Sequence, residues 1–348
     1  MNNTYSYIGP VRRMPFSVQR NASIRKYHSF SFPIIADTLI QVNSHRDIVE
    51  SMPIVKSYDT RVFLGSGSNT VFAKNYDGCV IYINIKGKRI IKDDDTSVLI
   101  QVAAGENWPD FVDWTIDNDY PGLENLAMIP GTVGAAPVHN IGAYGVEVKS
   151  FIDRVVVFDY DKESFIHLPA DALEMEYRWS RLKTPEWKNV LITDVVFKLP
   201  KKWSPQCQYQ QINQLITNKN SSPIEIRDLV CKLRREKLPP LTAEQHHAGS
   251  FFRNLIASPS QLSEIQKKYP DIPVFPGRKV PVGWLLEKRG WKGKKRGNVG
   301  VSDKHALVLI HNGKGKAEEL IELSKEIQND ILSGIGIAIE PEVTIYGL

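Results

Sequence analysis

The sequence predicts an α+β fold with mixed sheets, divided into more than one domain. Apolar, β-branched segments of strand length and amphipathic segments of helical length follow one another without an internal repeat. A chain of 348 residues is also too long for one ordinary hydrophobic core, so two or three domains are expected.

The first third of the chain is expected to form mainly strands. Residues 1–24 hold Asn, Ser, Arg and Pro without periodicity and are predicted to be an extended or loosely ordered arm. The first clear helix is predicted over 107–119, with Asn107 as N-cap, a proline in the first turn and apolar residues on one face. Apolar, β-branched runs predict strands at 28–42, at the start of 61–72, at 78–85 and at 97–105.

The rest of the chain mixes sheet and helix. Runs rich in Val, Ile and Phe predict strands at 153–160, 164–169, 189–199, 248–254, 305–312 and, at the C-terminus, 336–348. Apolar residues at helical spacing predict helices near 208–217, 223–236, 258–269, 280–290 and 316–332.

The stretch from Pro121 to Val148 carries the first functional hypothesis. Its glycines fall at 122, 131, 134, 142 and 145, and the residues between them are mostly apolar, whereas flexible linkers have polar spacers. Buried glycine allows the backbone to run close to something flat or bulky. The stretch therefore predicts an apolar slot for a large planar cofactor.

A second glycine-rich segment, LGSGSN, follows the strand that begins at Arg61. Its backbone N–H groups and hydroxyls are suited to binding an anion such as a phosphate. A tight hairpin turn explains the same residues equally well. The pattern is not G-x-G-x-x-G and no long helix follows, so a nicotinamide-type Rossmann domain is disfavoured.

Composition narrows the function classes. The net charge of +5 is small for a nucleic-acid-binding protein but compatible with anionic small molecules. Three widely spaced cysteines fit a reducing compartment, and neither cysteines nor histidines show metal-ligand spacing. Without a leader or an apolar run of spanning length, we expect a cytoplasmic protein that does not enter a membrane.

Polar residues inside apolar sequence are the candidates for chemistry. They are the Tyr177–Arg178 pair, Ser250 in AGSFF, and Glu340 with Glu342, whose spacing puts both on one face of the expected terminal strand. Taken singly, each is explained as well by a structural role, such as a buried ion pair or a core hydroxyl.

In this order, the segments resemble the UDP-N-acetylenolpyruvoylglucosamine reductase family. The motifs lie between His28 and Gly347 and include LGSGSN, IPGTVGAAPVHNIGAYG, the YR pair, AGSFFRN, VGWLLEKRGWKG and EPEV. Members are flavoenzymes that reduce UDP-N-acetylglucosamine enolpyruvate to UDP-N-acetylmuramate, using FAD and NADPH, for bacterial peptidoglycan synthesis. The resemblance implies an oxidoreductase with these ligands and no metal.

The resemblance also implies three domains after the 1–24 arm. Two would form an FAD-binding unit of the vanillyl-alcohol-oxidase (PCMH) type, and the third would bind the substrate. Residues 25–87 with 338–348 would be FAD-binding domain 1, 88–231 FAD-binding domain 2, and 232–337 the substrate-binding domain.

Site residues follow from the matched motifs. The catalytic residues would be Arg178, which stabilises the enolate, Ser250, which protonates it, and Glu342, which orients the intermediate. The FAD-binding residues would be Gly65, Ser66, Gly67, Ser68, Asn69, Pro130, Gly131, Thr132, Val133, Gly134, Ala135, Ala136, Gly142, Ala143, Gly145 and Arg234. The substrate-binding residues would be Tyr144, Tyr209, Lys237 and Asn254.

One segment indicates the branch of the family, and three positions depart from the family's usual motifs. The tyrosine-bearing segment near 203–215 resembles a loop that covers the substrate in one branch, to which we assign the chain. His28-Ser29-Phe30 stands where Asn-Thr-Phe is usual, and Ser66 where glycine is commoner. Thr344 replaces a basic residue, which puts one FAD phosphate contact in question.

Two other functions are weighed against this one. An FAD-linked alcohol oxidase would use the same cofactor scaffold, but Arg178, Ser250 and Glu342 suit hydride delivery to an activated alkene better. A non-catalytic protein that binds UDP-sugar or nucleic acid would be colourless when purified. The basic run 288–297 lacks an aromatic platform and is interpreted as a solvated edge, so no nucleic-acid partner is expected. A monomer is the default.

Overall fold

The computed structural model describes residues 16–206, 212–213, 221–242 and 245–348. Strands and helices occur along the whole described chain, which confirms the predicted α+β class. The strands are β1 Ser17–Ser23, β2 Ile35–Val42, β3 Arg61–Leu64, β4 Thr70–Phe72, β5 Tyr76–Ile83, β6 Lys88–Asp93, β7 Ser97–Ala103, β8 Gly142–Ala143, β9 Val146–Glu147, β10 Ile152–Asp159, β11 Ser164–Pro169, β12 Val190–Pro200, β13 Leu255–Ile256, β14 Lys279–Val280, β15 Lys295–Arg296, β16 Val299–Val301, β17 Leu309–His311 and β18 Thr344–Tyr346.

The helices fall mostly where apolar residues recur at helical spacing. They are α1 His45–Lys56, α2 Trp108–Asp117, the single turn α3 Ala135–Val138, α4 Pro223–Lys237, α5 Pro259–Lys268, α6 Val282–Lys288 and α7 Ala317–Ile335. In α2, the Asn107 side chain accepts a hydrogen bond from the Asp110 backbone, which confirms the predicted N-cap. Of the helix predicted at 208–217, the structure describes only Ile212 and Asn213.

The first sheet has the strand order β1-β2-β5-β3. Strands β2, β5 and β3 run parallel, and β1 adds to the edge antiparallel to β2. Strand β1 lies within the arm predicted to be extended or loosely ordered, and Ser17–Ser23 take the extended form as an ordered edge strand of this sheet. Ala22 and Ile24 are buried there, and this burial holds the segment in place.

Helix α1 was not predicted from the sequence. Its N-terminus carries a usable signal, because the Ser44 side chain accepts a hydrogen bond from the Asp47 backbone. Pro53 lies inside the helix, and an interior proline normally indicates a break. Buried Ile48 and Val55 pack into the core and compensate for it.

The second sheet is antiparallel throughout, in the order β11-β10-β12-β7-β6. Its four strands other than β6 were predicted. Every residue of β6 is exposed, so its sequence lacks the alternation that marks a half-buried strand. The central strand β12 is almost wholly buried.

Two hydrophobic cores lie on opposite faces of the first sheet. Ile40 and Ile81 pack into the core shared with the second sheet. Leu39 and Val80 pack into the core formed with the C-terminal half of the chain. Since side chains alternate along a strand, adjacent residues of β2 and β5 serve different cores. The first sheet therefore joins the two halves of the molecule.

Of three strands predicted in the C-terminal half, one is absent and two are shorter than expected. Residues 248–254 form no regular strand, although the Phe251 N–H bonds to the Leu307 carbonyl and the Arg253 N–H to the Glu340 carbonyl. Only β17 remains of 305–312, and only β18 of 336–348. These segments have high β-propensity, but their backbone forms single hydrogen bonds to distant residues and not the continuous ladder of a β-sheet. The division into domains stays a prediction, and the parallel pairing of β18 with β4 supports grouping 338–348 with 25–87.

The basic run 288–297 is largely paired with acidic residues. Lys294 and Arg296 lie within ion-pair distance of Glu326 on α7, and Arg296 also reaches Glu322. These side chains remain about half exposed. The pairing supports the interpretation as a solvated edge.

Candidate functional site

A cavity of about 760 Å³ lies where the predicted cofactor segments meet. One wall is the Gly65–Asn69 loop between β3 and β4, and another is the glycine-rich segment from Ile129 to Gly142. Residues from 182 to 192 form a third wall. The volume is within the range of pockets that bind cofactors and large substrates.

Close backbone contacts fix the Gly65–Asn69 loop. Gly67 has a φ of +60°, and a Cβ there would lie 2.2 Å from the Tyr27 carbonyl oxygen. A Cβ on Gly65 would lie 2.4 Å from Oγ1 of Thr132. Only glycine fits at these two positions, and the loop is therefore pressed against the molecule with its other side on the cavity.

The glycine-rich segment is bound to the second sheet by its own backbone. A Cβ on Gly134 would lie 2.6 Å from Cβ of Ala104, and the Gly134 N–H donates to the Ala104 carbonyl at 2.9 Å. Ser68 donates to the Pro130 carbonyl at 2.9 Å and so joins the loop to this segment. The glycine at 134 is thus required by the protein's own backbone, a reason that the slot hypothesis did not include.

Most predicted FAD-binding residues line the cavity, and three do not. Val133 is fully buried in the core, and Ala143 and Gly145 lie outside the lining. Those that line it are Gly65, Ser66, Gly67, Ser68, Asn69, Pro130, Gly131, Thr132, Gly134, Ala135, Ala136, Gly142 and Arg234.

Arg234 supplies a cation to this cavity from α4. Burial lowers the pKa of its guanidinium, and its Nε has no hydrogen-bond partner in the described structure. A buried guanidinium without a carboxylate fits an anionic ligand such as the diphosphate of FAD. Thr344, which stands where the family usually has a basic residue, lines the same cavity as Arg234.

The three predicted catalytic residues line the same cavity. Arg178 donates to the Gly142 carbonyl at 2.6 Å, and its Nε lies 3.1 Å from a Glu342 carboxylate oxygen. Burial raises the pKa of Glu342, and the charges of Arg178, Lys183 and Arg253 oppose this effect. Ser250 follows Gly249 on the adjoining wall. Tertiary structure thus assembles a cation, a carboxylate and a hydroxyl from three distant segments.

Glu340 and Glu342 do not share a strand face as predicted. The Glu340 carboxylate is 63% exposed and pairs with Arg253, whereas Glu342 lies in the cavity. The chain at 340–343 is irregular and becomes a strand only at Thr344, so the alternation expected of a strand does not apply.

The predicted substrate-binding residues are less well placed. Tyr144, Lys237 and Asn254 lie outside the lining of this cavity. Asn254 accepts a hydrogen bond from the Val282 backbone at 3.2 Å, at the start of α6. Tyr209 lies outside the described residues, as does most of its loop near 203–215. Substrate binding by these four residues stays a prediction.

His139 and Lys183 are among the cavity residues that the sequence analysis missed. Burial, with Lys183 and Arg178 nearby, lowers the pKa of His139 to about 3, so its ring is neutral. Desolvation of its ammonium by the surrounding side chains also lowers the pKa of Lys183 to about 8, although the residue as a whole keeps an exposed surface. His139 lies within the glycine-rich segment and Lys183 follows the YR pair closely, which are the only signals that the sequence offered.

Among the described residues, no group of three or more His, Cys, Asp and Glu side chains is arranged to hold a metal ion. In the same part of the chain, no helix combines the length and apolarity needed to cross a bilayer.

Two family models match separate parts of the chain. One, described as an FAD binding domain, matches residues 36–163 and includes the Gly65–Asn69 loop and the glycine-rich segment. The other, described as the C-terminal domain of UDP-N-acetylenolpyruvoylglucosamine reductase, matches 240–346 and includes Ser250 and Glu342. Fold and site together define an FAD-containing oxidoreductase whose FAD-binding unit is of the PCMH type.

Curated relatives match nearly the whole chain. UDP-N-acetylenolpyruvoylglucosamine reductase of Polynucleobacter asymbioticus is 40% identical over 95% of this chain and 97% of its own. The enzyme of that name from Flavobacterium johnsoniae is 37% identical, over 94% and 99%, and that from Aliivibrio fischeri 35%, over 94% of each. The chain belongs to the UDP-N-acetylenolpyruvoylglucosamine reductase family.

A solved structure shares the fold. The crystal structure of UDP-N-acetylenolpyruvylglucosamine reductase from Thermus caldophilus superposes with a TM-score of 0.66. It is 21% identical, over 95% of this chain and 100% of that one. This similarity shows the common architecture.

Proposed function

We propose that this protein reduces UDP-N-acetylglucosamine enolpyruvate to UDP-N-acetylmuramate, with NADPH as the electron donor and FAD as the carrier. The observation that carries the proposal is the placement of Arg178, Glu342 and Ser250 in the cavity that the FAD-binding segments form. The product would serve peptidoglycan precursor synthesis, as the family name implies.

FAD would be held by the Gly65–Asn69 loop, the glycine-rich segment and Arg234. When bound and reduced by NADPH, FAD would supply a hydride for the terminal carbon of the enolpyruvyl double bond. The remaining steps are assigned to side chains of this chain.

Arg178 would stabilise the negative charge that develops on the neighbouring carbon and its carboxylate. The guanidinium is already fixed between the Gly142 carbonyl and Glu342, so it needs no reorganisation as that charge forms. Glu342 would orient Arg178 and help to polarise the substrate. The positive charge of Arg178 lies beside the desolvated carboxylate of Glu342, which supports the assignment of charge stabilisation to Arg178 and of orientation to Glu342.

Ser250 would then donate its hydroxyl proton to the carbon on which the negative charge develops, next to the terminal carbon that receives the hydride. Serine is a weak acid in water, but the acceptor here is strongly basic and the site is partly desolvated. The hydride and this proton together would saturate the double bond. NADPH would lose two electrons and become NADP⁺, and the Ser250 alkoxide would regain a proton from solvent. Tyr144, Lys237, Asn254 and Tyr209 are proposed to contact the UDP-sugar.

An anaerobic visible spectrum tests both half-reactions. A flavin spectrum that bleaches with NADPH and returns with the enolpyruvyl sugar is the expected result. A flavin that recovers only with oxygen would support the oxidase alternative. A protein that stays colourless after addition of FAD would contradict the proposal. A monomeric state and a cytoplasmic location are proposed with it.

A further inference from the structure

Arg178 lies in a tight turn with unusual backbone geometry. The Glu176 and Trp179 backbones exchange hydrogen bonds of 3.0 and 3.2 Å, and Tyr177 and Arg178 lie between them. Arg178 has a φ of +55°, in the left-handed region that residues other than glycine seldom adopt. Such a conformation persists only where the surroundings enforce it.

Lys183 provides part of that enforcement. Its ammonium donates a hydrogen bond of 2.8 Å to the Arg178 carbonyl. It ends the short 3₁₀ turn Arg181–Lys183, whose preceding residue Ser180 is fully buried and donates to the Val138 carbonyl at 2.8 Å. The Lys183–Arg178 hydrogen bond therefore joins the Arg178 turn to the 3₁₀ turn, which Ser180 attaches to the glycine-rich segment.

The charges around Lys183 are unbalanced. Arg178 and Arg253 are the cations that act on it, and Glu342 is the carboxylate. The neutral ring of His139 lies nearby. Three cations thus share one cavity carboxylate, although Arg253 also pairs with exposed Glu340. This surplus of positive charge suits a ligand that brings its own carboxylate.

We propose that Lys183 is a positioning residue for Arg178 and that its positive charge helps this wall to bind the substrate carboxylate. The inference rests on the proposed function and goes beyond it, since the mechanism above uses only Arg178, Glu342 and Ser250. Lys183 lines the cavity from the side of Arg178. Loss of its proton would weaken both effects.

The test is equilibrium binding of UDP-N-acetylglucosamine enolpyruvate to the FAD-loaded, oxidised protein, followed by the flavin difference spectrum. The dissociation constant is measured on both sides of pH 8, near the pKa of Lys183. Wild-type affinity should fall as the pH rises through this value. The reason is that desolvation of the ammonium, together with the charges of Arg253 and Arg178, lowers the pKa of Lys183 in the unliganded protein, and the neutral amine has no charge to offer.

Three variants separate the roles of charge and structure. Lys183→Met should bind the enolpyruvyl sugar about 10- to 100-fold more weakly at neutral pH. It should also lack the alkaline step, which is the fall in affinity as the pH rises through about 8. Lys183→Arg should retain most of the affinity and also lose the step, because a guanidinium stays charged. Arg181→Met is the matched control. It lies on the same turn, is 46% exposed and pairs with Glu174, so it should behave as wild type.

Each failure has a separate meaning. If the wild-type flavoprotein neither binds nor reduces the enolpyruvyl sugar, the proposed function is wrong. If the wild type does both and Lys183→Met matches Arg181→Met, only the role of Lys183 is overturned. If Lys183→Met does not fold, Lys183→Arg decides: an alkaline step that persists in it contradicts the proposal. FAD content and melting temperature serve as the folding check.

Discussion

The cavity has two kinds of wall, and they are held in place by different forces. The Gly65–Asn69 loop and Gly134 are fixed by backbone packed so closely that a Cβ would overlap its neighbours. Arg178, Ser250 and Glu342 are placed by segments far apart in the chain. Arg178 forms an ion pair with Glu342 and donates a hydrogen bond to the Gly142 carbonyl. The cofactor wall is thus a property of backbone shape, and the catalytic wall a property of side-chain electrostatics.

This difference predicts two classes of variant. Changes in the cofactor wall should act on folding and FAD affinity, because the backbone has no room to adjust. Changes in the catalytic wall should leave the fold and the flavin spectrum intact and act on the rate. A change in the catalytic wall that lowered FAD affinity, or a change in the cofactor wall that altered only the rate, would show that the two walls are coupled.

The largest effect is expected for Ser250→Ala. Loss of the proposed proton donor should lower kcat for enolpyruvyl reduction by about 10²- to 10⁴-fold, while NADPH still bleaches the flavin. Stopped-flow measurement of the two half-reactions checks this. Ser250→Cys, which restores a proton donor, should recover part of the rate. Unchanged turnover in Ser250→Ala would remove Ser250 from the mechanism.

Arg178→Met should have the next largest effect. It removes the fixed cation opposite the developing charge, and the oxidative half-reaction should slow by about 10²- to 10³-fold. Glu342 would lose its ion-pair partner, and its pKa, already raised by burial, should rise further. FAD content should match wild type. Loss of FAD from this variant would contradict the separation of the two walls.

In the cofactor wall, Gly67→Ala should destabilise the protein by about 3 kcal/mol or more, because strain and overlap add. FAD should bind weakly. Gly336→Ala is the matched control: its φ is +84°, but no atom lies within 4 Å of the position that a Cβ would take. Strain alone should cost it about 1 kcal/mol. Equal losses in the two variants, measured by urea unfolding, would show that close packing is unimportant.

The smallest effect concerns an ion pair remote from the cavity. His45 on α1 lies 2.6 Å from Asp194 on β12, and the hydrogen bond to Asp194 raises the pKa of His45. Because the pKa of His45 is higher in the folded than in the unfolded protein, protonation of His45 stabilises the folded state. This stabilisation is complete below pH 6.5, the pKa of an unfolded histidine, and is lost as the pH rises through the pKa of folded His45. His45 is half exposed, so His45→Gln should cost less than about 1 kcal/mol.

That cost should be present below pH 6.5 and absent well above it. Denaturant unfolding of wild type and His45→Gln at the two pH values measures the difference. Arg46→Gln is the control, since Arg46 pairs with Glu50 on the surface and keeps its charge over this range. A loss for His45→Gln that did not depend on pH would mean that the pair stabilises through packing.

The sequence by itself determined the features that depend on local chemistry. Asn107 with Pro109 identified the start of α2, and runs rich in Val, Ile and Phe identified the central strands of the second sheet. The LGSGSN loop and the glycine-rich stretch indicated a cofactor cavity, because glycine lets the backbone run close to a flat or bulky group. The matched motifs also brought Arg178, Ser250 and Glu342 into one hypothesis.

Only the tertiary structure decided what depends on distant partners. Ser17–Ser23 became a strand because β2 offered an open edge, and residues 248–254 did not because single bonds to Leu307 and Glu340 replaced a ladder. Val133 turned into the core rather than toward the cavity. The ammonium of Lys183 reaches the Arg178 carbonyl, and no sequence pattern contains that contact. Periodicity reports which residues are buried, but the identity of each partner is set by packing between segments that are remote in the chain.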